Sequence, residues 1–438
     1  MLRDLLRIAL GPPNGMQVAG IPVILGGEHT MIFANLACLL SDGDGLRQAL
    51  QWGGASCNKP CFRHWNVVRP GCPLSHVEGY VSTHCADHSC FKLLSEEDLA
   101  SVVDVAVEAW QQGQRGEMSA AQVEDTHRAL GFKATAGGLL ADPQLRSLVK
   151  WTQVVRYDWA HTFLADSIVG KALWSLIEAA EQNGIFTQRD IFEFLNESWM
   201  FPTQTSSDQP TSSSNRSQLS AIFSHTKAQV NERHGTIKCS MSQLLSLYRI
   251  LDHFISMRVV SGGPLEKQVL AFKQVSSAVD LLLAVKHRRS KARSTGQLLT
   301  GILEQHMKLL HELGAARITP KYHWAFDVAE CLMMDDFLVD AFRLERLHLR
   351  VKRVAENCKN LTHYEVAVMR GVTLRHRNLI NDVQDWSQTC YLFGKVANPP
   401  WAPSVRMADK ACFHQEEFRN GFFVCRGFVC WVGSCMAR

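Results

Sequence analysis

The 438-residue chain has no uncharged apolar stretch of 18 residues, no internal repeat and little excess of either charge. Without a long apolar run, no segment reads as a membrane-spanning helix. The opening residues, MLRDLLRIALGPPNG, carry Arg3, Asp4 and Arg7 within their apolar run, so they do not read as a signal peptide. A net charge of +4 means that any affinity for a polyanion must come from local patches rather than from the molecule as a whole. With no leader, the chain reads as intracellular, and its 14 cysteines are expected to be reduced thiols or metal ligands. The sequons at Asn196, Asn215 and Asn360 then carry no weight.

What is present fits a folded protein of two or three domains, with 46% hydrophobic and 20% charged residues. Residues 1–52 hold two short strand patterns, QVAGIPVILGG and MIFANLACLLSDGDG. Residues 53–92 are irregular and rich in Cys, His, Pro and Gly. From 93 to 201 the pattern is helical. Ser95 with Asp98, Ser119 with Gln122, and Thr187 with Asp190 are helix-opening pairs, and Gly131 is a stop. RYDWAHTFLADSIVGKALWSLIEAAEQNG reads as one long helix ending at Gly184. Residues 202–217 form a Ser/Thr/Pro linker. Helical periodicity returns over 218–315, continues through 316–395, and gives way to strand-like sequence over 396–438. This order predicts α/β, or α+β, with a large helical insertion.

Four constellations could carry chemistry. Cys57, Cys61, His64, Cys72, His76, His84, Cys85, His88 and Cys90 fall within 34 residues. Thiolates and imidazoles at such short spacings suit tetrahedral Zn²⁺. Cys61 and His64 are the leading pair, with Cys85, His88 or His161 completing the shell. SDGDG places Asp42 and Asp44 after an apolar strand, where a carboxylate can hold Mg²⁺; a plain Asp-Gly turn is the simpler reading. YDWAH sets Asp158 and His161 one helical turn apart, as a helix cap or as metal ligands.

The fourth is a helix, FRLERLHLRVKRV. Glu345, His348 and Lys352 share one face, and Arg346, Arg350 and Arg353 share the next. The plain reading is a solvated face of ion pairs; the sharper one is a metal carboxylate beside arginines that hold phosphate oxygens. Lys286 to Arg293 is a second basic patch, with five basic residues and no acid.

In order, LSDGDGLRQALQWGGASCNKPCFRHWNVV, YDWAHTFLADSIVGKALWSLI, SMSQLLSLYRILDHFI, PKYHWAFDVAECL and FRLERLHLRVKRVAENCKNLTHYEVAVMR resemble blocks of CACTA-like DDE DNA transposases, over roughly residues 20–375. The resemblance implies an RNase H-like core interrupted by a helical insertion, with three carboxylates holding two Mg²⁺ ions at a phosphodiester. Asp42 matches the second carboxylate, and Glu345, or a glutamate near Glu178, the third. His161 matches a Met-His block and Cys61 the first cysteine of a Cys-x-x-Cys pair.

His64 replaces the second cysteine, and Ala160 the methionine. No early strand supplies the first Asp, and upstream there is only Asp4. The resemblance therefore implies a truncated, catalytically degenerate nuclear protein with DNA as partner, Arg346, Arg350, Lys352 and Arg353 as phosphate contacts, and self-association allowed. The competing expectation is a non-catalytic, zinc-stabilised scaffold that binds nucleic acid or protein.

Overall fold

A computed structural model describes residues 2–25, 28–196, 219–314, 318–341, 351–358, 363–381, 390–393, 410–413, 416–419, 422–425 and 428–431. They fall into two compact units. The larger comprises Met1–Gly20 with Phe33–Ala341, and the smaller comprises Ile21–Ile32 with Phe342–Arg438.

The larger unit is mostly helix. Its apolar residues recur with a period near 3.6, and its helices start where side chains can cap them. Ser119 and Gln122 form a reciprocal capping box on Ala120–Leu130, which Gly131 ends at φ 85°. Ser240 and Gln243 do the same for Met241–Arg258. Ser95 accepts the Asp98 amide at 3.0 Å, and Thr187 donates its own amide to Asp190 at 2.7 Å. The core is a stack of long helices. Ile168–Gln182 packs on Glu266–Lys286, which packs on Ala292–Glu312, which packs in turn on Pro320–Asp335. Among the described residues Glu266–Lys286 is long and apolar enough to cross a membrane. Its Phe272, Val275, Val279 and Leu282 are buried within the stack.

Among the described residues the expected RNase H-like core does not form. Among the described residues the strands lie in separate sheets of two or three strands. The apolar residues of the N-terminal stretch are divided between two partnerships. Ile21–Leu25 pairs antiparallel with Glu28–Ile32, leaving only Leu39–Ser41 to pair elsewhere. Three residues cannot seed a wide sheet. The helices within 219–314 form the body against which Pro320–Asp335 packs.

The long helix expected around YDWAH is three elements: strand Val155–Tyr157, helix Trp159–Phe163 and helix Ile168–Gln182. Val155–Tyr157 pairs in parallel with Leu39–Ser41, Ser41 opposite Tyr157. Asp42 and Asp158 therefore each follow the last paired residue of adjacent parallel strands.

In the smaller unit, residues 351–356 are helical and approach helix Tyr364–Asn381 closely: a Cβ on Gly371 would meet Val354 Cγ1 at 2.7 Å. The strand-rich tail is present. Cys390–Phe393, Lys410–Phe413 and Glu416–Arg419 form an antiparallel sheet, and Phe422–Cys425 pairs with Phe428–Trp431. The 202–217 linker, Glu345, Arg346 and Arg350 lie outside the described residues. Lys352 and Arg353 are exposed, and Lys352 Nζ stands 3.9 Å from Glu356, the spacing of a solvated i,i+4 pair.

One close approach fixes how Pro320–Asp335 lies. A Cβ on Gly296 would stand 2.6 Å from Met333 Cγ and 2.7 Å from the Ala329 carbonyl oxygen. Alanine would gain about 1 kcal/mol of helix propensity, but overpacking a fitted contact costs about 1–3 kcal/mol. Gly296→Ala should therefore lower the thermal midpoint by a few degrees in calorimetry. A raised midpoint would mean the two helices can part without cost.

Candidate metal centre and an adjoining cleft

The helix Pro320–Asp335 opens with Pro320 in its first turn, which suits a position whose N–H has no helical acceptor. Its polar residues His323 and Asp327 are one turn apart on one face, and both are buried. Opposite them lies the turn Cys61–His64. The aromatic residues beneath it join the two: the Trp324 indole donates to the Pro60 carbonyl at 2.8 Å, and the Phe62 amide donates to the Tyr157 hydroxyl at 3.1 Å. Tyr157 and Trp324 stack at 4.9 Å.

Cys61, His64, His323 and Asp327 converge, and their ligand atoms all lie within 4.8 Å of one another. Cys61 Sγ is 3.5 Å from His64 Nδ1 and 3.4 Å from Asp327 Oδ2. His64 Nδ1 is 3.2 Å from His323 Nε2 and 3.2 Å from Asp327 Oδ1, while His323 Nε2 is 3.8 Å from Asp327 Oδ2. A tetrahedral ion with bonds of about 2.0–2.1 Å to N or O and about 2.3 Å to S separates its ligands by roughly 3.3–3.6 Å. The observed separations bracket that span.

The surroundings suit a bound cation. The Arg63 and His64 amides both donate to Cys61 Sγ, at 3.3 and 3.2 Å, which favours a thiolate. His64 Nε2 is 3.0 Å from Glu330 Oε1, so a carboxylate orients the imidazole whose other nitrogen faces the group. Arg63, 1% exposed, donates to Asp327 and lies 3.1 Å from Glu330 Oε2. A dication with one thiolate, one carboxylate and two neutral imidazoles is neutral overall, as a buried site requires.

Without an ion, the titrating groups register the same concentration of charge. Burial pushes the Cys61 thiol up, and the Asp327 carboxylate adds to the effect. Burial opposes a charge on His64, but the Asp327 and Cys61 charges outweigh it and raise its pKa to about 12. His323, buried with less compensation, falls to about 3. A proton on His64 thus supplies the positive charge that the group calls for.

The structure brings Cys61 and His64 together as expected from the sequence. Cys85, His88 and His161 stay outside the cluster. His88 Nε2 bonds Glu330 Oε1 at 2.8 Å, bracing the carboxylate that orients His64. The Cys85 thiol donates to the Asp87 carbonyl at 3.5 Å. His161 Nδ1 bonds Asp158 Oδ2 at 2.6 Å. The residues that sequence reasoning missed are His323 and Asp327. Their i,i+4 spacing in PKYHWAFD was the available signal, hidden behind more than 250 residues of separation from Cys61.

On the far side of Trp324, a cleft of about 230 Å³ opens beyond the ends of the two parallel strands. Asp42, Asp158, His161, Lys321 and Trp324 line it. Asp42 caps its helix, accepting the Gly45 amide at 2.6 Å, so the turn reading of SDGDG holds locally. Asp158 accepts the His161 amide and ring nitrogen on one oxygen and the Ala341 amide on the other. Lys321 Nζ donates to the His161 carbonyl at 3.1 Å, and burial lowers its pKa. Glu178 does not line this cleft.

No family model, curated protein or solved structure matches the chain.

Proposed function

We propose that the protein is a zinc-stabilised scaffold in which the ion fastens the irregular 53–92 segment to the helical body. The observation that carries this reading is the buried Cys61–His64–His323–Asp327 group, whose spacing, charge balance and Glu330 brace suit tetrahedral Zn²⁺. Four protein ligands leave no position for a substrate, so the ion's role is structural. Its binding free energy is folding free energy, because two ligands come from the turn and two from a distant helix.

A second reading is carried by the cleft. Two carboxylates side by side at the ends of parallel strands are well placed for a divalent cation. With the sequence resemblance, they are the ground for a reading as a relic of a phosphodiester transferase that acted on DNA. Asp158 follows the strand beside that of Asp42 but comes after it in the chain, so the upstream Asp is still without a match. Asp158 accepts from His161 on one oxygen and from Ala341 on the other, which leaves a lone pair on Oδ1 for a cation.

Purified protein should contain about one equivalent of zinc by elemental analysis. Cys61→Ser and His323→Ala should lose it, Cys85→Ser and His161→Gln should retain it, and Glu330→Gln should weaken binding by roughly 10–100-fold. A strong chelator should lower the thermal midpoint by roughly 5–10 °C, as expected when free zinc had exceeded its Kd about a thousandfold. Folded wild-type protein with under a tenth of an equivalent would refute the scaffold reading.

For the cleft, Mn²⁺ added to zinc-loaded protein should bind, as seen by loss of the free-ion paramagnetic signal. Asp42→Asn with Asp158→Asn should abolish that binding and leave zinc content unchanged. Duplex DNA should also bind, with affinity falling steeply between low and moderate salt. Mn²⁺ binding that survives the double substitution, or no DNA binding at low salt, would remove the transposase-derived reading.

A further inference from the structure

The basic stretch from Lys286 to Arg293 forms the turn between helices Glu266–Lys286 and Ala292–Glu312. The chain reverses at Arg288, which takes φ 55°, and the Arg289 amide donates back to the Ala284 carbonyl at 2.7 Å. Val285 and Ala292 are buried at the two helix ends and anchor the turn to the stack. Between and beyond them His287, Arg288, Arg289, Lys291 and Arg293 are all exposed. The stretch contains no acid.

Its charge is only partly answered by its surroundings. Lys286 Nζ meets Asp340 Oδ2 at 2.9 Å. Asp336 accepts the backbone amide of Arg293 at 3.3 Å, while the Arg293 guanidinium donates to the Met333 carbonyl at 3.3 Å. Among the described residues Arg289 and Lys291 pair with no carboxylate. The turn also lies beside the cleft. Lys286 Nζ sits 5.9 Å over the ring of Trp159, the residue that follows Asp158. Its partner Asp340 precedes Ala341, whose amide donates to Asp158 Oδ1 at 2.9 Å. Basic turn and strand-end carboxylate are therefore tied together from two directions.

We infer that this turn holds the phosphate backbone of a nucleic acid whose path leads on to the Asp42 and Asp158 cleft. The inference rests on the reading of that cleft as a divalent-cation site for a phosphodiester. An acidic peptide would meet the cations as well, but the two carboxylates next to them would repel it. A phosphodiester chain suits both features. Its phosphates take the arginines, whose guanidinium groups match phosphate oxygens in pairs. A further phosphate can meet the carboxylates through a divalent cation. Because the contact is electrostatic, it should vary with salt more than with base sequence.

The full-length, zinc-loaded protein is titrated with a fluorescent duplex DNA of random sequence over a range of salt concentrations, beside two charge-matched variants. Arg289→Gln with Lys291→Gln removes two cations from the turn. Lys227→Gln with Arg233→Gln removes two exposed cations from helix His225–His234. At about 0.1 M salt the turn variant should bind roughly 10–100-fold more weakly than wild type, with a log–log salt slope shallower by about two. The helix variant should bind as wild type does. Both should keep their zinc content, their Mn²⁺ binding and their thermal midpoint, because exposed charges contribute little to stability. A turn variant that binds as tightly as wild type would overturn the inference and leave the cleft reading intact. Equal weakening in both variants would overturn it too, since net charge alone would then explain binding. Wild-type protein that binds no duplex at low salt would remove the inference and the cleft reading together.

Discussion

The structure around the candidate centre depends on one electrostatic constraint: a buried thiol, two imidazoles and a carboxylate share a space with room for a single small cation. Taken singly, each group would be costly to bury. A bound dication would match two negative charges there, and Arg63 faces Glu330. The constraint is also topological. Cys61 and His64 lie on a turn with little regular structure to hold it, and His323 and Asp327 lie on a helix clamped by Gly296. An ion there would add a tie between the 53–92 segment and the helix, beside the Trp324–Pro60 and Phe62–Tyr157 hydrogen bonds.

The two sites on either side of Trp324 are built on opposite plans. The Cys61 group is closed, with all four residues buried, and its neighbours orient the ligands rather than admit a substrate. The cleft at Asp42 and Asp158 is open and bordered by a lysine whose charge burial disfavours. One aromatic stack, Tyr157 on Trp324, joins them. A change in how the helix Pro320–Asp335 seats would be felt on both sides, since it supplies His323 and Asp327 to one and Lys321 to the other.

Much of the local structure was legible in the sequence. Ser119 with Gln122 and Ser95 with Asp98 encode their own helix starts, and those signals need nothing from the rest of the chain. Cys61 and His64 were legible because three-residue spacing is local. His323 and Asp327 were not, because their meaning depends on a turn remote in sequence. Within PKYHWAFDVAECL they looked like polar residues on an amphipathic helix. Strand Val155–Tyr157 was lost for a related reason: three residues flanked by helical sequence show no period, and only pairing with Leu39–Ser41 makes them a strand. That pairing also gives Asp158 its place beside Asp42. The resemblance to DDE transposases carried the expectation of a wide sheet, which the short strands among the described residues do not build.

The central claim is that one ion is held by one sulfur and three lighter atoms from residues far apart in sequence. X-ray absorption at the zinc edge on the purified protein measures that shell directly. The account predicts one sulfur at about 2.3 Å and three nitrogen or oxygen atoms at about 2.0–2.1 Å. Two or more sulfurs would place the ion among the other cysteines of the 53–92 segment. Six oxygens would place it in the acidic cleft. Either result would contradict the site described here.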